Sequence, residues 1–378
     1  MDNLRLLDWP LQFCAFVTGS AYVASILTSN VSQVDRIWTI LPTIYTAYFA
    51  LLPLWPQAQK YLLIPYTPPA LGREAINDYS PRALLMLSLV FIWMCRLSYN
   101  TWRRGLFSLG DEDYRWLVLR TKIPPWFFQI VNLTFIAIIQ NILLLSLGLP
   151  TAVASVLQPH EPLTTSDFAL AVLAIVILSL EFTADNQQFA FHSYKHAFLA
   201  KEKGADSIKP YRENQHWPGA RLAWTPTDAR RGFNTRGLWA YSRHPNFYCE
   251  QAFWWIVNLM PLLAAPPPHI PHISASQLAA AYPDQLKSLM TSLYPSVLYI
   301  IPAGSLSLLF YSSTLFTESI SKSKYPEAYA AYQKRVPMFD PSKLLWKLIV
   351  HRLFRSKVER KKIDDFVWGD AHSTKKLQ

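Results

Sequence analysis

In Tyr241-Ser242-Arg243-His244-Pro245-Asn246-Phe247-Tyr248-Cys249-Glu250, an Arg, a His, an Asn and a Glu stand at the mouth of an apolar segment running on through Trp254, Trp255 and Met260. Charged and hydrogen-bonding groups are costly at a membrane boundary, and those kept there usually hold something. Pro245 suits the first turn of a helix, which puts Asn246 and Glu250, four residues apart, on one face. Upstream, Glu181, Asp185, Gln188 and His192 follow the i, i+4, i+7, i+11 spacing of a single helix face, with Phe182, Phe189 and Phe191 among them. Two facing helices that each offer carboxylates and amides would grip a polar ligand bearing an amide. The plainer reading of either stripe is a helix end solvated at the headgroup level.

Three further constellations stand out. The run Arg96-Leu97-Ser98-Tyr99, Trp102-Arg103-Arg104-Gly105 and Asp111-Glu112-Asp113-Tyr114-Arg115 offers guanidinium forks suited to phosphate, or equally to local pairing with its own carboxylates. Asp35, in Val34-Asp35-Arg36-Ile37-Trp38, is an acid at the start of an apolar segment, where pairing with Arg36 is the ordinary expectation. Glu318 follows the last apolar segment, ahead of Tyr325, Tyr329 and Tyr332. The chain has no Gly-x-Gly-x-x-Gly, P-loop or His-Glu-x-x-His pattern, so any nucleotide is held without a Rossmann domain. His160, His269 and His272 lack ligand spacing, and Cys14, Cys95 and Cys249 suggest neither disulfides nor zinc; no metal is expected.

The elements that must position these residues are membrane helices. Of 378 residues, 51% are hydrophobic and only 16% charged, with 14% aromatic and 11 Gly. A soluble chain carries more charge. Apolar blocks of about the length that crosses a bilayer lie near 10–28, 36–55, 82–99, 126–149, 166–184, 247–265 and 288–311, with Pro42 and Pro302 inside two of them. The expected fold is an all-α, polytopic membrane helix bundle of about seven spans.

The net charge of +11 does not point to nucleic acid, because it is segregated. Connections 96–122 and 192–243 and the tail after 320 are rich in Lys and Arg, whereas 56–80, 150–165 and 266–287 are poor. That alternation follows the positive-inside rule and puts the C-terminus in the cytosol. The stretch 196–236, with Gly204, Pro210, Pro218, Gly219 and Pro226, reads as a loop. In 341–362, Leu344, Leu345, Leu348, Ile349, Leu353 and Phe354 alternate with Lys343, Lys347, Arg352, Arg355 and Lys357, a basic amphipathic helix suited to the cytosolic leaflet. The chain therefore divides into a membrane domain, 1–340, and a cytosolic tail, 341–378, ending in Lys375-Lys376-Leu377-Gln378, which resembles a dilysine signal of endoplasmic reticulum membrane proteins.

Taken together, Val34-Asp35-x-x-Trp38, Arg96-Leu97 with Trp102-Arg103 and Glu112-Asp113-x-Arg115, Asp185 with Gln187 and Phe191, and Gly237-Leu238-Trp239-x-Tyr241-Ser242-Arg243-His244-Pro245-Asn246-x-x-x-Glu250 resemble the steroid 5-alpha-reductase C-terminal superfamily, in its branch catalogued as a domain of unknown function. The likeness spans roughly 30–340, with the reductase-like part at about 166–340. It implies an NADPH-dependent membrane enzyme that reduces a carbon–carbon double bond conjugated to a carbonyl in a lipid or sterol. Carried over by position, Asp185, Tyr241, Asn246 and Glu250 would contact the cofactor; Gln188, Arg243, His244 and Glu318 are the further cofactor-binding candidates. The resemblance identifies no proton donor; Asp35 and Glu181 are the catalytic candidates. Arg243-His244-Pro245 replaces smaller residues of the steroid reductases, and Cys249 stands where relatives usually carry Gly. A different class, the isoprenylcysteine and phospholipid methyltransferases, is similar in Arg243-His244-Pro245, Glu318 and Tyr329-x-x-Tyr332; there the ligand is S-adenosylmethionine and Glu318 would hold its amino group. A third reading is a non-catalytic lipid-binding protein of the same fold.

Overall fold

The computed structural model describes residues 2–71, 76–204, 210–263 and 283–369, so the Lys375-Lys376 end, His269 and His272 lie outside the described residues. Among the described residues every regular element is helical. Five helices are long and apolar enough to cross a membrane: Arg5–Thr28, Pro81–Arg103, Pro125–Leu157, Thr165–Glu202 and Val297–Lys324. The chain is an all-α, multi-pass membrane protein.

Two expected spans take other forms. Block 36–55 is broken into Gln33–Trp38, Leu41–Ala50 and a tight turn at Leu52–Leu54. Pro42 sits in the first turn of the middle piece, where a missing N–H costs nothing. Block 247–265 is the helix Pro245–Leu263, with Pro261 inside it. The Thr165–Glu202 helix outruns its expected end at 184: its 38 residues span about 57 Å at ~1.5 Å per residue, against a hydrocarbon core of about 30 Å. The expected loop 196–236 therefore begins as helix, and it later holds a short helix, Pro226–Arg231.

The chain forms two compact units, Met1–Ile175 with Phe253–Leu308, and Val176–Ala252 with Leu309–Gln378. The first packs an aromatic core of Trp9, Tyr48 and Phe49 around Leu6 and Leu52. Gly148 permits it: a Cβ there would sit 2.8 Å from that of Tyr45, so only glycine lets these backbones approach. Trp93 packs edge-on against Trp254. Pro302 disrupts the local helix ladder, and the Asn258 side-chain oxygen receives the adjacent Ala303 N–H at 3.2 Å. A buried fork joins Arg82 to Asp167 at 2.7 and 3.2 Å, with the third nitrogen on Gln158. Breaking such a pair from one side costs about 3–5 kcal/mol.

Candidate functional site

The second unit holds the Arg-His-Pro-Asn motif. Its entry is built on Gly237, whose φ of +61° suits glycine and whose missing Cβ makes room for the Gln187 side chain. Gln187 then bridges two loop segments, accepting from the Leu238 N–H at 2.9 Å and donating to the Gly219 carbonyl at 2.9 Å. Trp239 donates its indole N–H to the Ala184 carbonyl. Residues 242–244 lie along 336–338, with the Arg243 and His244 N–H groups donating to the Pro337 and Met338 carbonyls at 2.9 and 3.1 Å. Pro245 then opens the helix that carries Asn246 and Glu250.

The two stripes read from spacing do meet. Asn246 Nδ2 donates to Asp185 Oδ1 at 3.1 Å. A carboxylate only accepts, so this bond fixes the amide orientation and turns Asn246 Oδ1 away from Asp185. That oxygen is buried and has no donor. On the helix of Asp185, Gln188 bonds His192 through Nε2 at 3.1 Å, while its own Oε1 is also buried without a donor. Glu181, Asp185 and Glu250 are buried. The cluster is therefore rich in acceptors, and a buried amide oxygen left unmatched costs about 1–3 kcal/mol. Tyr241, at the edge of the motif, is 56% exposed.

Arg243, His244 and Glu318 form a different kind of cluster. Arg243 grips Glu318 with two parallel bonds of 2.7 and 3.0 Å. His244 Nε2 lies 3.0 Å from the same carboxylate, and Gln333 donates to it at 2.8 Å. Since a carboxylate accepts, the His244 hydrogen is on Nε2. Burial lowers the His244 pKa, and Glu318 opposes that shift. The remaining Arg243 nitrogen donates to the Val336 carbonyl, which also accepts from Lys347 at 2.9 Å. Four donors occupy Glu318, leaving it poorly placed to take a ligand ammonium. Through these bonds Arg243 and His244 fasten the motif to Glu318 and to the segment after Pro326–Arg335.

A third cluster was not singled out from the sequence. Asp228 closes a capping box with Thr225 and holds both Arg231 and Arg236. Arg231 Nε and Nη1, Arg236 Nη2 and Asn234 Nδ2 are buried donors without acceptors. Burial, outweighing Asp228, lowers the Arg231 pKa. The only signal available was the density of Arg in 230–236.

Asp35 belongs to the first unit, not to this cluster. It accepts from the Trp116 indole at 3.0 Å, and desolvation raises its pKa while Arg115 opposes. The expected Asp35–Arg36 pairing is replaced: Arg36 donates to the Ser108 and Asp111 carbonyls. Acids of the arginine-rich run are taken up by nearby arginines, while Arg103 bonds Asn100. Arg115 forks onto Asp113 and Arg120 pairs with Glu112 at 2.9 Å. Burial pushes Asp113 up, but Arg115 more than offsets it and holds the carboxyl below its usual range. Among the described residues no three His, Cys, Asp or Glu side chains are grouped to hold a metal ion.

Comparison with known proteins agrees with the motif-bearing part of the chain. It is 28% identical over 328 residues to the uncharacterized protein C594.04c of Schizosaccharomyces pombe, covering 86% of this chain and 77% of that one. No solved structure matches. Residues 21–270 match the model of a family described as "Protein of unknown function (DUF1295)". That match spans well over half of the sequence, and the chain belongs to this family.

Proposed function

We propose that this protein is a membrane-embedded, NADPH-dependent reductase acting on a carbon–carbon double bond conjugated to a carbonyl, in a hydrophobic lipid or sterol. The observation that carries this reading is the Asn246–Asp185 bond, with the buried, unmatched oxygen of Asn246 and that of Gln188 on the Asp185 helix. Acceptors with no donor suit a ligand that brings N–H groups, as the carboxamide of a nicotinamide does. In the same unit, the unmatched donors of Arg231, Arg236 and Asn234 suit phosphate oxygens. The residue types thus fit both ends of a dinucleotide.

In this reading Asn246, Gln188 and Glu250 hold the carboxamide, and Asp185 orients Asn246. When bound, the dinucleotide supplies the hydride. Glu181, buried on the face of Asp185, is the favoured acid to polarise the substrate carbonyl, and its burial would keep water from that proton. The Lys- and Arg-rich connections favour a cytosolic side for these residues and the C-terminus, and the endoplasmic reticulum is the membrane proposed. The methyltransferase reading is the less favoured, since Glu318, one of its three features, already accepts from Arg243, His244 and Gln333.

Thermal unfolding of the detergent-solubilised protein in rising NADPH tests the proposal. A true ligand raises the transition by mass action. Stabilisation by NADPH that Glu250→Gln removes is the expected result; a shift with S-adenosylmethionine and none with NADPH refutes it.

A further inference from the structure

The helix Lys343–Leu353 is amphipathic as its sequence indicates, but the side chains are not disposed as a solvated basic face over an apolar core. Lys347 points inward, with Nζ bonded to the Val336 carbonyl at 2.9 Å and also to the Gln333 carbonyl. His351, one turn on, is buried. Lys347 therefore anchors the helix to its own unit by hydrogen bonds, and His351 packs inside it. The outward face is apolar: Leu345 is 67% exposed, Trp346 65%, Leu353 70% and Phe354 77%, with Ile349 between them and Val358 on the next helix, Lys357–Trp368.

The surroundings of this face are strongly basic. Residues 343–362 carry eight Lys or Arg against one Glu. Lys343, Arg352 and Lys357 are exposed beside the apolar side chains. That Glu, Glu359, lies 3.7 Å from Arg355. An exposed tryptophan among leucines, rimmed by cations, matches the headgroup boundary of a bilayer, where indole and long cationic side chains meet both phases.

We propose that Leu345, Trp346, Ile349, Leu353 and Phe354 form a seat that lies in the plane of an anionic lipid leaflet, with Lys343, Arg352 and Lys357 on the lipid headgroups. The occupant is a lipid surface and not a protein groove, because the apolar face is convex helix flanked by cations, and this same chain already crosses a bilayer. The seat stands apart from the reductase reading and does not depend on it.

The test places a nitroxide label on the full-length chain in lipid nanodiscs. Cys95, the exposed cysteine, is first replaced by Ser; Cys14 and Cys249 are buried. Single labels follow at Ile349→Cys, Leu353→Cys and, as a solvated reference, Lys361→Cys, each kept only if the melting temperature is unchanged. In nanodiscs containing phosphatidylserine, positions 349 and 353 should collide with dissolved oxygen several times more than with a water-soluble nickel chelate, and position 361 should show the reverse. In phosphatidylcholine alone the excess should shrink. Chelate access at 349 equal to that at 361 in both compositions overturns the proposal. So does immersion indifferent to phosphatidylserine, and so does spin–spin broadening at 349 that unlabelled chain dilutes away, which would identify a second copy as the occupant.

Discussion

Within the second unit, two polar clusters with only Pro245 between them in sequence behave differently. At Arg243 and His244 every strong group has found a protein partner: one carboxylate receives four bonds, and the arginine also reaches a backbone carbonyl. At Asn246 the single bond to Asp185 orients an amide whose oxygen is left without a donor, as is that of Gln188. The first cluster is closed and holds the chain in place. The second is open to a donor, which a buried site tolerates when a ligand is to complete it. Residue type alone would have ranked them the other way, since an Arg-His-Glu group looks more like chemistry than an Asn-Gln pair does.

Breaking the closed cluster should be the more damaging change. Glu318→Ala leaves Arg243 buried and unpaired, so about 3–5 kcal/mol of stability should be lost, seen as a collapse in yield or in the unfolding transition in detergent. Asn246→Ala should cost only about 1 kcal/mol, the value of one hydrogen bond, in the same assay. If the two variants lose equal stability, the distinction between closed and open clusters fails.

Lys347 sharpens the closed side through pH. Burial is the main cause that lowers its pKa to about 8, and Arg243 adds to it. An unfolded lysine holds its proton to about 10.4. Above pH 8 the unfolded chain therefore binds more protons at this site, and stability from Lys347 rises with pH through that window. The melting temperature of the native chain minus that of Lys347→Met should increase between pH 7 and pH 9.5, roughly tracking this difference; parallel curves would remove Lys347 from the buried network. The smallest effect belongs to Tyr241→Phe. Its exposure predicts a stability change within about 0.5 kcal/mol, while a cofactor contact at its hydroxyl predicts weaker NADPH affinity. Unchanged affinity would take Tyr241 out of the site.

Helices and their order were legible because long apolar runs and Pro at first turns are local signals. The meeting of Asp185 with Asn246 was legible too, because i, i+4 spacing on two segments defines two faces. What spacing could not reveal is which polar group finishes with a partner. That depends on residues far along the chain: the Gln333 side chain reaches Glu318 from 15 positions away, and the Val336 carbonyl reaches Arg243 from 93. Asp35 shows the same limit, since a neighbouring arginine is the obvious partner by sequence, yet Trp116 takes the acid and distant carbonyls take Arg36. The inward turn of Lys347 is likewise set by tertiary carbonyls that helical periodicity does not record.

The central claim is that the open cluster at Asn246 completes itself with a dinucleotide, and calorimetric titration of NADPH into the native chain and Asn246→Ala, in one detergent, tests it most directly. Saturable binding to the native chain, weakened about tenfold or more in the variant, a loss of ~1.4 kcal/mol or greater, with matching unfolding transitions, is the result predicted. Equal affinity in the two proteins, or no saturable binding to either, would contradict it.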